Sequence, residues 1–261
     1  MDIIKEIVEA PGLLKEIYGD IAKPGVSQAG KALSTVVGLG NTVLWPVALL
    51  NEKAKISLEN NLDKYREKVK DIPEEKVAEI PPEVGVPIAE KLAYVSNEEL
   101  SELYTELLAK ASSVDFASQA HPSFVNAINN FSPDEAILLG ALKSIKSIPY
   151  IEVRLTKKGA NEWQTLNPLL FSINSGKNLS FPNNLHAYIS NFEGLGVLQV
   201  RHDIYIVGEN IYEPLEETAK ASFQPMAEKL EDRELAFERG RIDITPFGRL
   251  LISACTSPKR A

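Results

Sequence analysis

Residues 132–155 read SPDEAILLGALKSIKSIPYIEVRL, and a change of period inside them decides the fold class. The first part is helical in pattern. Ser132 and Glu135 form a capping box, in which each side chain reaches the other residue's free backbone N–H. Ile137, Leu138, Ala141, Leu142 and Ile145 follow at helical spacing. After Lys146 the period switches, and Tyr150, Ile151, Val153 and Leu155 read as a strand.

Upstream of the switch the signals are helical. His121-Pro122-Ser123-Phe124 opens a helix, because proline loses nothing at a first-turn position whose N–H has no partner. Phe124, Val125, Ile128 and Phe131 then face a core. His121 with Ser123 is a polar pair that invites a general-base reading. The better reading is a helix-entry histidine bonded to the backbone. Ser96 and Glu99 are read as a second capping box, followed by the apolar face Leu100, Leu103, Tyr104, Leu107, Leu108 and Ala111. On the same helix Glu98, Glu102 and Glu106 recur at four-residue steps. Three carboxylates so spaced suit a divalent metal, but a solvated face is far commoner, and no metal site is assigned. Pro73, Pro81, Pro82 and Pro87, with four glutamates among them, read as an extended acidic connector. Leu58, Leu62, Tyr65, Val69 and Ile72 make a narrow helical seam before it.

Further upstream, Ala32–Asn51 is a run of 20 residues without a charge. As a helix it would span about 30 Å, the thickness of a bilayer core. Gly30, Ser34, Gly38 and Thr42 fall four apart within and beside it, a stripe of small side chains that lets another backbone approach closely. Trp45 precedes Pro46, which suits an interfacial anchor and equally a core aromatic at a kink. The polar residues and the proline favour a buried soluble hairpin; the sharper alternative is an oligomerising or membrane-active segment. Two short amphipathic helices are expected before residue 24, and nothing there has the form of a secretory signal.

Downstream of the switch, a helix is expected over Asn183–Phe192. Two β-rich runs, Val197–Val200 and Ile204–Val207, follow it as a hairpin with Arg201, His202 and Asp203 at its tip. A strand at Arg241–Ile244 precedes a last helix with Thr245 as N-cap and Pro246 in its first turn. The whole therefore reads as α+β: a mainly helical domain over 1–131, then a smaller winged-helix-like α+β domain over 132–261. The element in the recognition position has no Lys or Arg, so protein contact is expected before nucleic acid, with Arg201 and His202 as its contact residues.

Composition narrows the function classes. The chain has 261 residues, a formal net charge of −8 and one cysteine, Cys255. Residues 1–131 carry 13 basic against 20 acidic groups, and the remainder 15 against 16. The acidity argues against a general nucleic-acid binder. A single cysteine excludes an internal disulfide and points to a reducing, cytoplasmic setting. No phosphate loop, dinucleotide fingerprint, nucleophile elbow or zinc-protease motif occurs, and the three histidines lack metal spacing. No catalytic residue, metal or cofactor is expected.

Several segments together resemble the bacterial Abi-alpha (abortive infection alpha) family. They are Ile17-Tyr18-Gly19-Asp20-Ile21-Ala22-Lys23-Pro24, Gly30-Lys31-Ala32-Leu33, Asn41-Thr42 and Leu49-Leu50-Asn51-Glu52-Lys53, then Leu103-Tyr104 with Leu107-Leu108-Ala109. His121-Pro122-Ser123-Phe124 before Ser132-Pro133-Asp134-Glu135, and Ile244-Thr245-Pro246-Phe247-Gly248, continue the order. The likeness is densest over 17–135, and residues 156–182 match nothing in it. It implies a bacterial protein associated with phage defence and carries over no catalytic residue. The partners expected are a second copy of the chain, or another defence or phage protein. An inner-membrane contact is expected only after a trigger.

Overall fold

The computed structural model describes residues 27–40 and 52–256. The helices expected before residue 24, and Thr42 and Trp45, lie outside the described residues. Two compact units emerge, each considered on its own. The first contains the described residues up to Ala136 together with those from Leu250 onward; the second is 137–249. The class is α+β, with helices first and the sheet after.

In the first unit, α1 (Ser27–Gly40) buries Ala29, Ala32, Leu33 and Val36. It packs on α3 (Pro82–Leu92), where a Cβ on Gly85 would overlap the Val36 side chain. The proline-rich connector is therefore shorter than expected. Only 73–81 is extended, around a tight turn at Glu74–Lys76, and α3 begins at Pro82 with Pro87 inside it. Burying Val84, Ile88, Ala89 and Leu92 outweighs the ~3 kcal/mol penalty of an interior proline.

Helix α2 (Glu52–Val69) buries the seam residues Leu58, Leu62, Tyr65 and Val69 and packs against α4 (Glu98–Ala111). The cap of α4 is Asn97, not Ser96: its side chain accepts the Leu100 N–H at 3.1 Å. A capping side chain reaches the amide three residues on, and from Asn97 that amide is Leu100. Then come α5 (Pro122–Asn129) and α6 (Pro133–Leu142). The Ser132–Glu135 box is present in both directions, at 2.6 and 3.3 Å.

The second unit is built on one antiparallel sheet in the order β2-β1-β4-β3. Its strands are β1 (Ser147–Lys157), β2 (Trp163–Phe171), β3 (Leu198–Arg201) and β4 (Arg233–Ile244). Helix α7 (Leu185–Gly194) precedes β3, and α8 (Glu213–Ala227) precedes β4. Leu215 and Ala219 of α8 pack on Ile151 and Val153. Helix α9 (Pro246–Cys255) closes the order, with Thr245 Oγ1 capping the Gly248 N–H at 2.9 Å.

The expected hairpin does not form. Residues 204–207 lie outside any strand, and β3 pairs with β4 in the register Leu198↔Ile244 to Arg201↔Arg241. The outer edge of β3, which the Ile204–Val207 run would join, is met at the Val200 N–H by Glu193 Oε1 at 3.0 Å, and the Ile206 N–H goes to Tyr212 Oη at 2.8 Å instead of to a strand.

Candidate functional site

Alternation along β1 sends Ile151 and Val153 toward α8 and Tyr150 and Glu152 to the opposite face. Tyr150 is opposite Gly240 of β4, and its ring occupies the volume that a Cβ on Gly240 would fill. The phenol oxygen thereby reaches the end of β3. It lies 2.7 Å from His202 Nδ1 and donates to the Arg201 carbonyl at 3.3 Å. Both contacts are satisfied together when Nδ1–H donates to Tyr150 and Tyr150 donates to Arg201. Burial, then the Glu152 carboxylate, pushes the Tyr150 phenol up to about 12, so it remains a hydrogen-bond donor at neutral pH.

A second tyrosine completes the frame. Tyr212 Oη donates to the Gly240 carbonyl at 2.9 Å and accepts the Ile206 N–H at 2.8 Å. The two tyrosines thus anchor the segment after β3, which leaves Tyr205 and Val207 exposed.

On the other face of the strand ends, Arg201 and Arg241 are directly opposite each other. Like charges so placed repel. Each is offset by an aspartate two residues on. Arg201 makes a bidentate pair with Asp203 at 3.0 and 2.8 Å, and Arg241 pairs with Asp243 at 3.1 and 3.0 Å. The Arg201 guanidinium, then a backbone amide bond, lowers the Asp203 carboxyl to about 2. Arg239, on the same face, pairs with Glu216 of α8 at 2.6 Å. Farther along the Tyr150 face, Glu152 accepts from Arg154 at 2.9 Å and from Thr165 at 2.8 Å, and the Arg154 bond holds its carboxyl below the usual range.

Arg201 and His202 are thus adjacent in sequence but serve different faces. The other sequence candidates lie elsewhere. His121 Nδ1 accepts the Ser123 N–H at 3.1 Å, so this pair caps α5 through a backbone amide rather than through the serine hydroxyl. Ser34 is exposed and donates to Lys31 O at 2.9 Å; Gly30 is half-buried, and Gly38 lies in the last turns of α1. The glutamate face expected to be solvated is largely paired instead. Lys64 reaches Glu98 at 2.6 Å, and Lys68 reaches Glu102 at 2.5 Å and the buried Glu106 at 3.2 Å. Among the described residues no group of three or more His, Cys, Asp or Glu side chains is placed to hold a metal ion.

The sequence reading missed Tyr150, Gly240 and Tyr212 as site residues. One signal was available: a glycine inside a strand pattern marks close approach of another group.

Three comparisons bear on identity. No curated protein matches the chain. One solved structure, of an uncharacterized protein from the hydrocarbon-degrading marine bacterium Alcanivorax borkumensis SK2, is similar at 20% identity and a TM-score of 0.31. That match covers 56% of this chain and 99% of the other. The family model for abortive infection alpha matches residues 57–255, which reach from α2 through α9. The chain therefore belongs to the abortive infection alpha family.

Proposed function

We propose that the protein is an abortive-infection-type antiphage defence protein of the bacterial cytoplasm, whose helical unit acts through a triggered protein contact. The family match supports the defence role. The mode of action rests on the way α1 is latched. Thr35 donates to Glu79 at 2.7 Å, Ile80 N–H donates to Ala32 O at 3.0 Å, and Lys31 reaches Glu74 O at 3.4 Å. All three bonds run to one short strap, residues 74–80. Displacing that strap, together with the α3 contact at Gly85, frees the Ala29, Ala32, Leu33 and Val36 face for a second subunit, another defence protein or a phage protein. Of the residues on that face, Ala29 and Ala32 are small enough for close helix approach. Among the described residues no helix is long and apolar enough to cross a membrane; membrane contact by the freed α1 is an alternative outcome of the same release.

The test is a latch variant, Thr35→Ala with Glu79→Ala, expressed in cells with and without phage. The expected result is slowed growth without phage. Growth and plaque protection equal to wild type would overturn the reading.

A second reading assigns sensing to the sheet unit, with nucleic acid or a phage protein as ligand. The Arg201–Arg241 pair with Arg239 on one sheet face favours it. A gel-shift series must then weaken steeply with salt, and must weaken further in Arg241→Ala.

A further inference from the structure

The two outer strands of the sheet are treated differently. At β3, only four residues long, the Val200 N–H points away from the ladder and is taken by Glu193 Oε1 at 3.0 Å. A side-chain acceptor on the edge amide blocks addition of another strand, a common device for edge strands. Among the described residues no such guard covers the first half of β2. Trp163, Gln164 and Thr165 pair with Thr156, Leu155 and Arg154 of β1, and all three are exposed. A register shift at Leu166, and Pro168 beyond it, interrupt the edge only after Thr165.

The charge pattern selects the occupant. Residues 163–176 are 14 consecutive uncharged residues in a chain that is 25% charged, bounded by Glu162 and Lys177. A partner of unrelated sequence places no such demand on an edge. A second copy does: a two-fold axis through an antiparallel pair sets each residue near the axis against itself or its neighbour, where any charge would meet its like. With the axis anywhere in β2, Glu162 never meets Glu162, and the one charge it can meet within this stretch is Lys177.

We propose that β2 is a self-association edge. Two copies pair antiparallel through Trp163–Thr165 about an axis at Gln164, so that Gln164 meets Gln164 and the two sheets join into one. A ladder this short buries less than the roughly 1,200–2,000 Å² of a stable interface, so the dimer forms with rising concentration. The inference goes beyond the proposed function and does not depend on the α1 latch.

Sedimentation velocity on the full chain over a wide concentration range tests it, with Gln164→Lys and Gln164→Glu as probes. Gln164 is exposed, so either substitution leaves the fold intact, which circular dichroism checks. Wild type is expected to shift toward a dimer with concentration. Each variant alone should associate about fivefold more weakly or less, and an equimolar mixture of the two should regain wild-type association. A wild type that is monomeric at the highest concentration reached overturns the proposal. So do variants that dimerise as wild type does, or a mixture that fails to recover.

Discussion

Tyr150 of β1 and Gly240 of β4 are cross-strand partners in which the phenol ring stands where any residue but glycine would carry its Cβ. The same glycine's carbonyl accepts from Tyr212, so one backbone position fixes both tyrosines. Gly240→Ala is expected to destabilise the protein by about 1–3 kcal/mol through overpacking. In a Tyr150→Ala background the added cost of Gly240→Ala should largely vanish. Urea unfolding of the four proteins in this cycle checks the coupling; an undiminished penalty would show that the ring is not the obstacle.

The lysines of α2 predict two unequal losses. Lys68 is 16% and Glu106 8% exposed, so Lys68→Ala takes an ion-pair partner from a buried carboxylate and should cost about 3 kcal/mol. Lys64→Ala removes a partner from Glu98, which is 70% exposed, and should cost under about 1 kcal/mol. Denaturant midpoints for the two variants give the comparison, and equal shifts would contradict it.

The Arg201–Asp203 pair predicts a pH effect of defined sign. The folded-state carboxyl is lowered to about 2, below its value in the unfolded chain. Its contribution is therefore present above about pH 4 and is lost as pH falls toward about 2. Asp203→Asn should therefore lower stability slightly at neutral pH and leave it little changed near pH 2, which flattens the acid limb across that window. Urea midpoints from neutral pH downward measure this; an unaltered acid limb would refute it.

Asn61 is buried between three elements. Its amide nitrogen donates to Leu92 O at 2.8 Å and Val95 O at 3.0 Å, and its oxygen accepts from Ser101 at 2.6 Å. Asn61→Ala removes one partner from each of those groups, while Ser57 Oγ still reaches both carbonyls at 3.2 and 3.0 Å, and should cost about 1–2 kcal/mol. Hydrogen exchange should show faster opening at the end of α3 before elsewhere, and uniform protection there would count against this network as the fastening point.

The helical half was legible because its signals are local. Capping at Ser132–Glu135, the first-turn Pro122 and the apolar spacing in α4 all lie within a few residues of one another. Strand β1 was legible for the same reason, as a run of β-branched and aromatic residues. Strand β2 was not: Trp163-Gln164-Thr165-Leu166 has no clean alternation, and Pro168 argues against a strand until its edge position is known. Helix α8 was hidden by Pro214 and Pro225 and by an apolar face of few residues. The Ile204–Val207 run has strong β character, yet its outcome turned on Glu193 taking the outer amide of β3 and on Tyr212 taking the Ile206 N–H. The site followed the same division. Arg201 and His202 stood out as exposed polar residues between β-rich runs, whereas Tyr150 and Gly240 are 90 residues apart and meet only through register.

The first compact unit is discontinuous in sequence, since α9 supplies its last piece after the whole of the sheet unit. During vectorial synthesis the early helices leave the ribosome about 110 residues before that piece, at roughly 5–20 residues per second. For those seconds the surface that receives Leu251, Ala254 and Cys255 waits uncovered. A nascent chain arrested before α9, as in a cell whose translation is failing, never closes that surface.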